Sequence, residues 1–257
     1  MAYCLDFSQN SLIFAASKQS ILSMSVRVSG STLKVIAVVT MLIDHAAAYV
    51  LVGMDWMYEP WMELGHHVLN PYTLMRGIGR MAFPIFGFLI VEGYRHSRDR
   101  RRYGRNLLLF ALLSEVPWDL LHRDSFFYRG QNVFFTLVLG FMAICLYERH
   151  KDDVRKLASW MAGLVVVTLV CHADYGLPGV GFILTMHLLR DNRVLLPLLG
   201  TCMMHTLPAA LAFIPIGIYD GSRGFVRGSF WKYAFYLIYP VHLLVFYFVK
   251  VHLYGHP

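Results

Sequence analysis

Long apolar segments recur along this sequence and constrain its fold more than any other feature. A helix needs about 20 apolar residues to cross the hydrocarbon core of a bilayer. Segments of this length, or close to it, lie at 33–52, 71–93, 104–121, 132–148, 157–172, 174–190, 193–219 and 230–252. They predict an all-α integral membrane protein, a single polytopic bundle of about 8–9 transmembrane or re-entrant helices.

The composition supports this fold class. Only 15% of the 257 residues are charged and 57% are hydrophobic, whereas about a quarter of the residues in a soluble domain are charged. This excludes a water-soluble enzyme, a disordered chain and a nucleic-acid-binding domain, despite a formal net charge of +7. We therefore expect the lipid bilayer as a partner and no nucleic acid. The four cysteines show no paired spacing and are expected to be free thiols.

The charges of the loops predict the orientation. The loop at 94–105 holds six arginines and one aspartate, whereas the loop at 53–70 holds acidic residues and neither Lys nor Arg. Because cytoplasmic loops are enriched in Lys and Arg, we predict an inner-membrane protein with a cytoplasmic N-terminus and a C-terminus on the outer side. Prolines interrupt segment 193–219, which is expected to form two short or re-entrant helices. Residues 1–32 are interpreted as a cytoplasmic extension and 33–252 as one membrane domain.

Ionisable residues inside the apolar segments fall at one depth. His45, Arg80, Glu115 and His242 each lie 11 to 13 residues from the cytoplasmic end of their segment, which is roughly 17–20 Å along a helix. Charges inside a bilayer are costly and usually mark functional sites. We predict a functional polar layer, and ion pairs that only hold the bundle together are the alternative.

The first segment combines a cation and a histidine on one face. Lys34 and His45 are eleven residues apart, which is three turns plus about 20° and roughly 16 Å along a helix. A buried imidazole tends to stay neutral, the form that a general base or a nucleophile needs. Asp44 either orients His45 or pairs with Arg76 or Arg80. Lys34 either contacts a ligand at the cytoplasmic mouth or anchors the helix end at the membrane surface.

Other candidate residues are less specific. Glu115 lies one turn before a second carboxylate, Asn132 opens the fourth segment, and Asp174 and Tyr175 lie at the outer end of the sixth. The arginines of the 94–105 loop either signal orientation or bind phosphate. The sequence has no metal-ligand spacing, P-loop, dinucleotide fingerprint or GxSxG motif. We therefore predict no metal site.

An ordered series of motifs resembles the TraX family, part of a wider group of transmembrane acyltransferases that includes the acyltransferase 3 proteins and heparan-α-glucosaminide N-acetyltransferase. The resemblance covers roughly residues 32–245. It rests on Lys34-x10-His45, the run Arg76–Phe86, Leu89–Gly93, Ser114–Pro117, Asp174–Gly176, Tyr219–Gly224 and Phe235–His242.

The resemblance implies a membrane acetyltransferase, so that 33–252 would be an acyltransferase domain. TraX proteins are associated with N-terminal acetylation of conjugative pilin, and relatives acetylate cell-surface glycans and heparan sulfate. The first-helix histidine is the proposed catalytic residue of the group, and the preceding basic residue is linked to acyl-CoA binding. These roles are carried to His45 and Lys34, although many relatives that acetylate sugars have Arg at the Lys34 position.

We therefore expect transfer of acetyl from cytoplasmic acetyl-CoA to an amine or hydroxyl of a glycan, lipid or pilin, either directly or through an acetyl-histidine. The predicted catalytic residues are His45, Asp44, Arg80 and Asn132, the last two as candidate oxyanion donors. The predicted acetyl-CoA contacts are Lys34, Arg95, Arg98, Arg101, Arg102 and Arg105. The predicted acceptor contacts are Arg76, Glu115, Asp174, Tyr175, Tyr239 and His242. The alternative functions are a proton-coupled transporter of a small anionic solute and an assembly scaffold. The sequence leaves the oligomeric state open, with a homo-oligomer as one option.

Overall fold

The structure is a computed structural model that describes residues 27–65, 67–192, 194–204, 206–226 and 228–255. Residues 1–26, most of the predicted N-terminal extension, lie outside the described residues. The helices are α1 (Gly30–His45), α2 (Pro71–Gly79), α3 (Ala82–His96), α4 (Arg100–Leu113), α5 (Glu115–Arg123), α6 (Val133–His150), α7 (Val154–Cys171), α8 (Gly176–Leu188), α9 (Leu195–Met204), α10 (Leu207–Ala210), α11 (Phe213–Gly217) and α12 (Gly228–Tyr254).

Among the described residues, five helical spans are long and apolar enough to cross a membrane, which confirms the predicted all-α membrane fold. These spans are Gly30–Val50, Pro71–His96, Val133–His150, Val154–Cys171 and Tyr233–Tyr254. Shorter apolar helices cover Gly176–Leu188, Leu195–Met204 and Leu207–Gly217. The segment predicted to be broken at 193–219 is therefore broken into two short apolar helices, as predicted, and the second of these consists of α10 and α11.

Prolines determine where two of the predicted spans break. A proline inside a helix clashes with the carbonyl four residues earlier and removes a hydrogen bond. Pro84 lies four residues after Arg80, where α2 ends and α3 has not yet begun. Pro117 lies four residues after Leu113, the last residue of α4. The segment predicted as one span at 104–121 is therefore two helices that meet at Ser114.

A short hairpin connects the first span to α2. After a 3-10 turn at Asp55–Tyr58, strands β1 (Met62–Leu64) and β2 (His67–Leu69) pair in antiparallel register. Asn70 then caps α2 through a hydrogen bond from the Thr73 amide, and Thr73 returns one to the Asn70 amide. Pro71 fills the first helical position, where a missing N–H costs nothing. The predicted start of this helix is confirmed.

The centre of the bundle is built around α6. This helix packs against α3, α4, α7 and α8, whereas α7 contacts mainly α6 and α8 and leaves most of its surface exposed. Close packing of α6 on α8 depends on Gly140, because a Cβ there would overlap the Ile183 side chain. On α7, Gly163 has no atom within 4 Å of such a Cβ.

These two glycines provide a matched test of the packing. Gly140→Val is expected to lower the free energy of unfolding by about 1–3 kcal/mol, since overpacking forces side chains and backbone apart. Gly163→Val places the same side chain in open space and should leave stability nearly unchanged. Thermal unfolding of both variants in one detergent measures this. Equal losses of stability would contradict the α6–α8 contact.

The first turn of α1 is clamped by the loop that precedes α12. The amides of Gly30 and Ser31 donate to the Ser222 and Arg223 carbonyls, at 2.8 and 3.1 Å. The buried Ser31 hydroxyl donates to the Arg223 carbonyl at 2.6 Å and accepts from the Val226 amide at 2.7 Å. The free amides at the start of α1 therefore find partners, and the loop is fixed beside Lys34.

Candidate active site

A pair of histidines lies at the end of α1. The helix passes at His45 into a π-helical turn at Ala46–Val50, a rare geometry that is frequent at functional sites. His45 Nδ1 lies 2.7 Å from His242 Nε2, and the two rings stack with centroids 5.0 Å apart. The polar layer predicted from the sequence therefore brings these two histidines into direct contact.

The hydrogen bonds of the pair determine its tautomers. His242 Nδ1 lies 2.9 Å from the Ile238 carbonyl, which only accepts, so this nitrogen carries the hydrogen and His242 Nε2 has the lone pair. In the neutral pair the hydrogen between the rings must then come from His45 Nδ1. His45 Nε2 is left with a lone pair, and His45 is only half-buried. This nitrogen is placed to take a proton or to attack a carbonyl.

A third imidazole, that of His122, lies behind this pair. The Tyr49 hydroxyl contacts His122 Nε2 at 2.5 Å, and His122 Nδ1 lies 3.1 Å from the Trp118 carbonyl. By the same argument His122 Nε2 accepts from Tyr49. The Tyr49 ring stands edge-on to His45, with centroids 5.7 Å apart. Tyr49 and His122 thus hold one wall of the site in place.

Charged residues form a cluster on the α2 side of His45, which we call the charged crevice and define by Asp44, Arg76, Arg80 and Asp174. Asp44 Oδ2 binds Arg76 Nη1 at 2.7 Å, while Asp44 Oδ1 is buried without a partner among the described residues. Gly79 allows this approach, because a Cβ there would overlap the Asp44 carboxylate. Of the two predicted partners, Asp44 therefore pairs with Arg76.

Arg80 and Asp174 lie at the open side of the charged crevice. Asp174 is reached by solvent but enclosed by protein on most sides, and this burial raises its pKa to about 6, although the Arg80 guanidinium opposes the shift. The Arg80 side chain is exposed. Tyr175, the next predicted residue, stacks on Phe83 with ring centroids 3.7 Å apart. Asp174 can therefore exchange a proton or a cation near neutral pH.

Two predicted site residues have structural partners instead. Asn132 Nδ2 donates to the Ala111 carbonyl at 2.9 Å and to Glu115 Oε2 at 2.5 Å, while its Oδ1 accepts from the Phe134 amide. Both N–H groups are used, so the geometry does not support the predicted oxyanion role of Asn132. Glu115 likewise serves this contact, which links α4, α5 and α6.

A cavity of about 490 Å³ lies between α1, α3, α4, α6 and α12, a size typical of small-molecule sites. Its wall on α1 is formed by Lys34, Val38 and Met41, the face predicted to lead to His45. Apolar side chains form most of the remaining wall. They include Phe86, Leu89, Ile90, Leu107, Val133, Phe134, Leu137, Phe235 and Ile238.

Polar groups concentrate at one mouth of the cavity. Lys34 and Arg223 both line it, and Lys34 Nζ lies 6.0 Å from the centre of the Phe235 ring. The adjoining wall contains Glu92, whose Oε1 accepts from Arg190 Nε at 2.8 Å. We call this the basic end of the bundle. A cationic mouth above an apolar tube suits an anionic ligand with a long, thin arm.

The predicted arginine contacts lie outside this cavity. Arg95 pairs with Asp191 at 3.3 Å. The remaining side chains are exposed near the basic end and do not line the cavity: Arg98, Arg101, Arg102 and Arg105. Of the predicted cofactor contacts, only Lys34 lines the cavity.

At its far end the cavity stops one helical turn short of the histidine pair. Met41 lies four residues before His45, and Tyr239 lies three residues before His242. The Tyr239 and His242 ring centroids are 5.3 Å apart. Met41 and Tyr239, which we call the partition, lie at this end of the cavity, between it and His45.

Sequence reasoning did not assign functional roles to Tyr49, His122 and Arg223. His122 follows a predicted span and lies seven residues, or two helical turns, after Glu115. The two residues therefore share a helical face, and this pattern could have indicated His122 as a candidate. Arg223 lies in one of the motifs that carried the family resemblance. Its place at the mouth depends on the clamp between two distant segments, and no local pattern encodes such a contact.

The fold and this site define a polytopic helical membrane protein in which an apolar cavity with a basic mouth leads towards a histidine pair. The chain belongs to the TraX family, whose sequence model, described as TraX protein, matches residues 29–250. It is 28% identical over 252 residues to the "Probable fimbrial assembly protein FimC, serogroup H1" of Dichelobacter nodosus, covering 86% of this chain and 96% of that protein. No solved structure matches the chain.

Proposed function

We propose that this TraX-family protein transfers an acetyl group from acetyl-CoA, bound from the cytoplasm, to an amine or hydroxyl acceptor that arrives from the charged crevice. The basic end then faces the cytoplasm, in agreement with the enrichment of Lys and Arg there. The relative named as a fimbrial assembly protein supports a pilin or another cell-surface molecule, glycan or lipid, as the acceptor.

The observation that carries the proposal is the cavity between Lys34 and the partition. Its basic mouth suits the phosphates of coenzyme A, since Lys and Arg are the usual phosphate ligands. The distance along α1 from Lys34 to His45 is roughly 16 Å, so an extended pantetheine arm inserted at the mouth brings its thioester to the partition. The apolar wall excludes water from the thioester along this path.

The histidine pair supplies the chemistry. In direct transfer, the acceptor nitrogen or oxygen attacks the thioester carbonyl carbon while His45 Nε2 takes its proton. The carbon–sulfur bond then breaks, and the thiolate of coenzyme A takes the proton from the His45 imidazolium. In the two-step form, His45 Nε2 itself attacks the carbonyl carbon, the carbon–sulfur bond breaks and coenzyme A leaves as the thiolate. The acceptor then attacks the acetyl carbon, the bond to His45 Nε2 breaks, and the acceptor's proton passes to the thiolate. The tautomer fixed by His242 suits both.

Ligand binding tests the proposal without knowledge of the acceptor. Coenzyme A at about 100 times its dissociation constant should stabilise the purified protein by about 2.7 kcal/mol. Dephospho-coenzyme A, which lacks the 3′-phosphate, should stabilise it less. Thermal unfolding in detergent and equilibrium binding of radiolabelled acetyl-CoA measure both. If neither compound bound or stabilised the protein, the acetyltransferase would be rejected in favour of the transporter.

The mouth of the cavity makes a prediction about single residues. Lys34→Ala and Arg223→Ala should each weaken coenzyme A binding by about 10–100-fold, the usual effect of losing one charge-assisted hydrogen bond. Lys156 offers a matched control, because it is exposed and pairs with Asp153 away from the cavity. Lys156→Ala should leave the affinity unchanged. Equal affinities in all three variants would place coenzyme A elsewhere.

A further inference from the structure

We propose that the Tyr239 hydroxyl donates a hydrogen bond to the oxyanion that forms on the thioester carbonyl oxygen during acetyl transfer. This assignment rests on the proposed function and adds to it a group that stabilises the transition state. It makes Tyr239 a catalytic residue and not simply an acceptor contact.

The Tyr239 hydroxyl is buried, and its hydrogen has no acceptor. The side chain is 4% exposed, and no acceptor for this hydrogen lies among the described residues. Most buried polar atoms are hydrogen-bonded, and an unpaired one costs about 1–3 kcal/mol. The same residue lines the far end of the cavity. A buried hydroxyl hydrogen without an acceptor, at the closed end of a ligand cavity, is explained if it binds a ligand oxygen during the reaction.

The Val133 amide orients the Tyr239 hydroxyl. Val133 is the first residue of α6, where an amide has no carbonyl partner within the helix. The Asn132 side chain caps the next amide, that of Phe134, and leaves the Val133 amide free of that cap. The Val133 amide donates to Tyr239 Oη instead, so this oxygen is engaged as an acceptor while its own hydrogen remains available as a donor. The positive end of the α6 dipole adds to the attraction for negative charge.

The position fits the reacting carbonyl. Tyr239 lies one turn before His242, whose ring it meets edge-on. His242 in turn contacts His45, the proposed base, at 2.7 Å. The hydroxyl is within electrostatic range of Asp174 in the charged crevice and of Tyr49. A thioester that reaches the partition from the basic end therefore comes to the Tyr239 hydroxyl and lies about one helical turn from His45.

The two oxyanion donors expected from the sequence are placed less well. Asn132 uses both N–H groups in contacts within the protein. Arg80 is exposed beside Asp174, outside the cavity. Among the described residues that line the far end of the cavity, Tyr239 carries a side-chain donor without a partner.

The proposed step changes charge at one atom. As the acceptor attacks, the carbonyl π electrons move onto the oxygen, and the Tyr239 O–H donates to it without giving up its proton. When the carbon–sulfur bond breaks, the oxygen regains its double bond and the thiolate leaves. The acetyl-histidine route passes through the same oxyanion, so the assignment holds for both routes.

Tyr239→Phe tests this directly, because it removes the hydroxyl and keeps the ring. We expect kcat for transfer of label from [¹⁴C]acetyl-CoA to cell envelopes of a deletion strain to fall about 10²–10³-fold, as when one oxyanion donor is lost. The KM for acetyl-CoA and the binding of coenzyme A should stay within about twofold. Thermal stability should fall slightly, because the variant loses the hydrogen bond from the Val133 amide.

Tyr247→Phe is the matched control on the same helix. Its hydroxyl donates to Asp124 Oδ1 at 2.5 Å, away from the cavity. This variant should also lose stability but keep its kcat, so the fall in kcat distinguishes Tyr239→Phe from it. A Tyr239→Phe protein with the kcat of the unmodified protein would overturn the oxyanion assignment alone. An unmodified protein that neither binds coenzyme A nor transfers label would overturn the proposed function itself.

Discussion

Replacement of His45 by glutamine is expected to lower acetyl transfer by about 10³-fold or more, because general base catalysis alone contributes about 10²–10⁴-fold. If His45 is acetylated during the reaction, the loss is complete. Glutamine still donates towards His242 Nε2 but has no basic nitrogen where His45 Nε2 stands. Transfer of label from [¹⁴C]acetyl-CoA to envelope material of a deletion strain measures the effect.

The same variant should bind coenzyme A normally. His45 lies beyond the partition and does not line the cavity, so Lys34 and the apolar wall are unchanged. Coenzyme A should still raise the thermal stability of the variant by the amount seen with the unmodified protein. A variant that kept its transfer rate would remove His45 from the chemistry, whereas loss of coenzyme A binding would indicate a role in holding the donor.

His242 should show the second large effect. His242→Phe keeps an aromatic ring against His45 but removes the acceptor at 2.7 Å that holds the His45 Nδ1 hydrogen. His45 then rotates or changes tautomer, and by analogy with other histidine bases that lose their orienting partner the rate should fall about 10³-fold or more. The affinity for coenzyme A should change little.

A conservative variant separates orientation from packing. The side-chain carbonyl of His242→Gln can accept the His45 Nδ1 hydrogen, so this variant should regain part of the activity that His242→Phe loses. The acetyl-CoA KM should be similar in both. If His242→Gln were as inactive as His242→Phe while both folded normally, the hydrogen bond would not be the reason for the loss.

The sequence predicted the helical membrane fold and placed two histidines from distant helices at one depth. His45 and His242 were placed at one depth by counting from the helix ends, and the structure joins them at 2.7 Å. The count was informative because an apolar helix must cross a hydrocarbon core of nearly constant thickness. The number of residues from the helix end therefore gives the depth of a residue in the membrane. The break of 104–121 at Ser114 was missed, although Pro117 marks it, because hydropathy does not register a lost backbone hydrogen bond.

The site itself was harder to predict. Asn132 has the chemistry of an oxyanion donor, but its bonds to Ala111 and Glu115 depend on how three helices pack. The arginines of the 94–105 loop carry enough charge for phosphate, but only the fold decides which cations line the cavity. Arg223 lines it because Ser31 binds its backbone carbonyl from a segment 192 residues away. Sequence patterns give residue chemistry and local periodicity, whereas partners across helices come from packing.

The sidedness of transfer tests the central claim most directly. Inverted and right-side-out membrane vesicles, prepared from a deletion strain that carries the protein, receive [¹⁴C]acetyl-CoA, whose charges keep it from crossing the bilayer. We predict that inverted vesicles, which expose the basic end, incorporate label into acceptor material and that His45→Gln vesicles do not. Incorporation by right-side-out vesicles alone, or equal incorporation by the His45→Gln protein, would contradict the account.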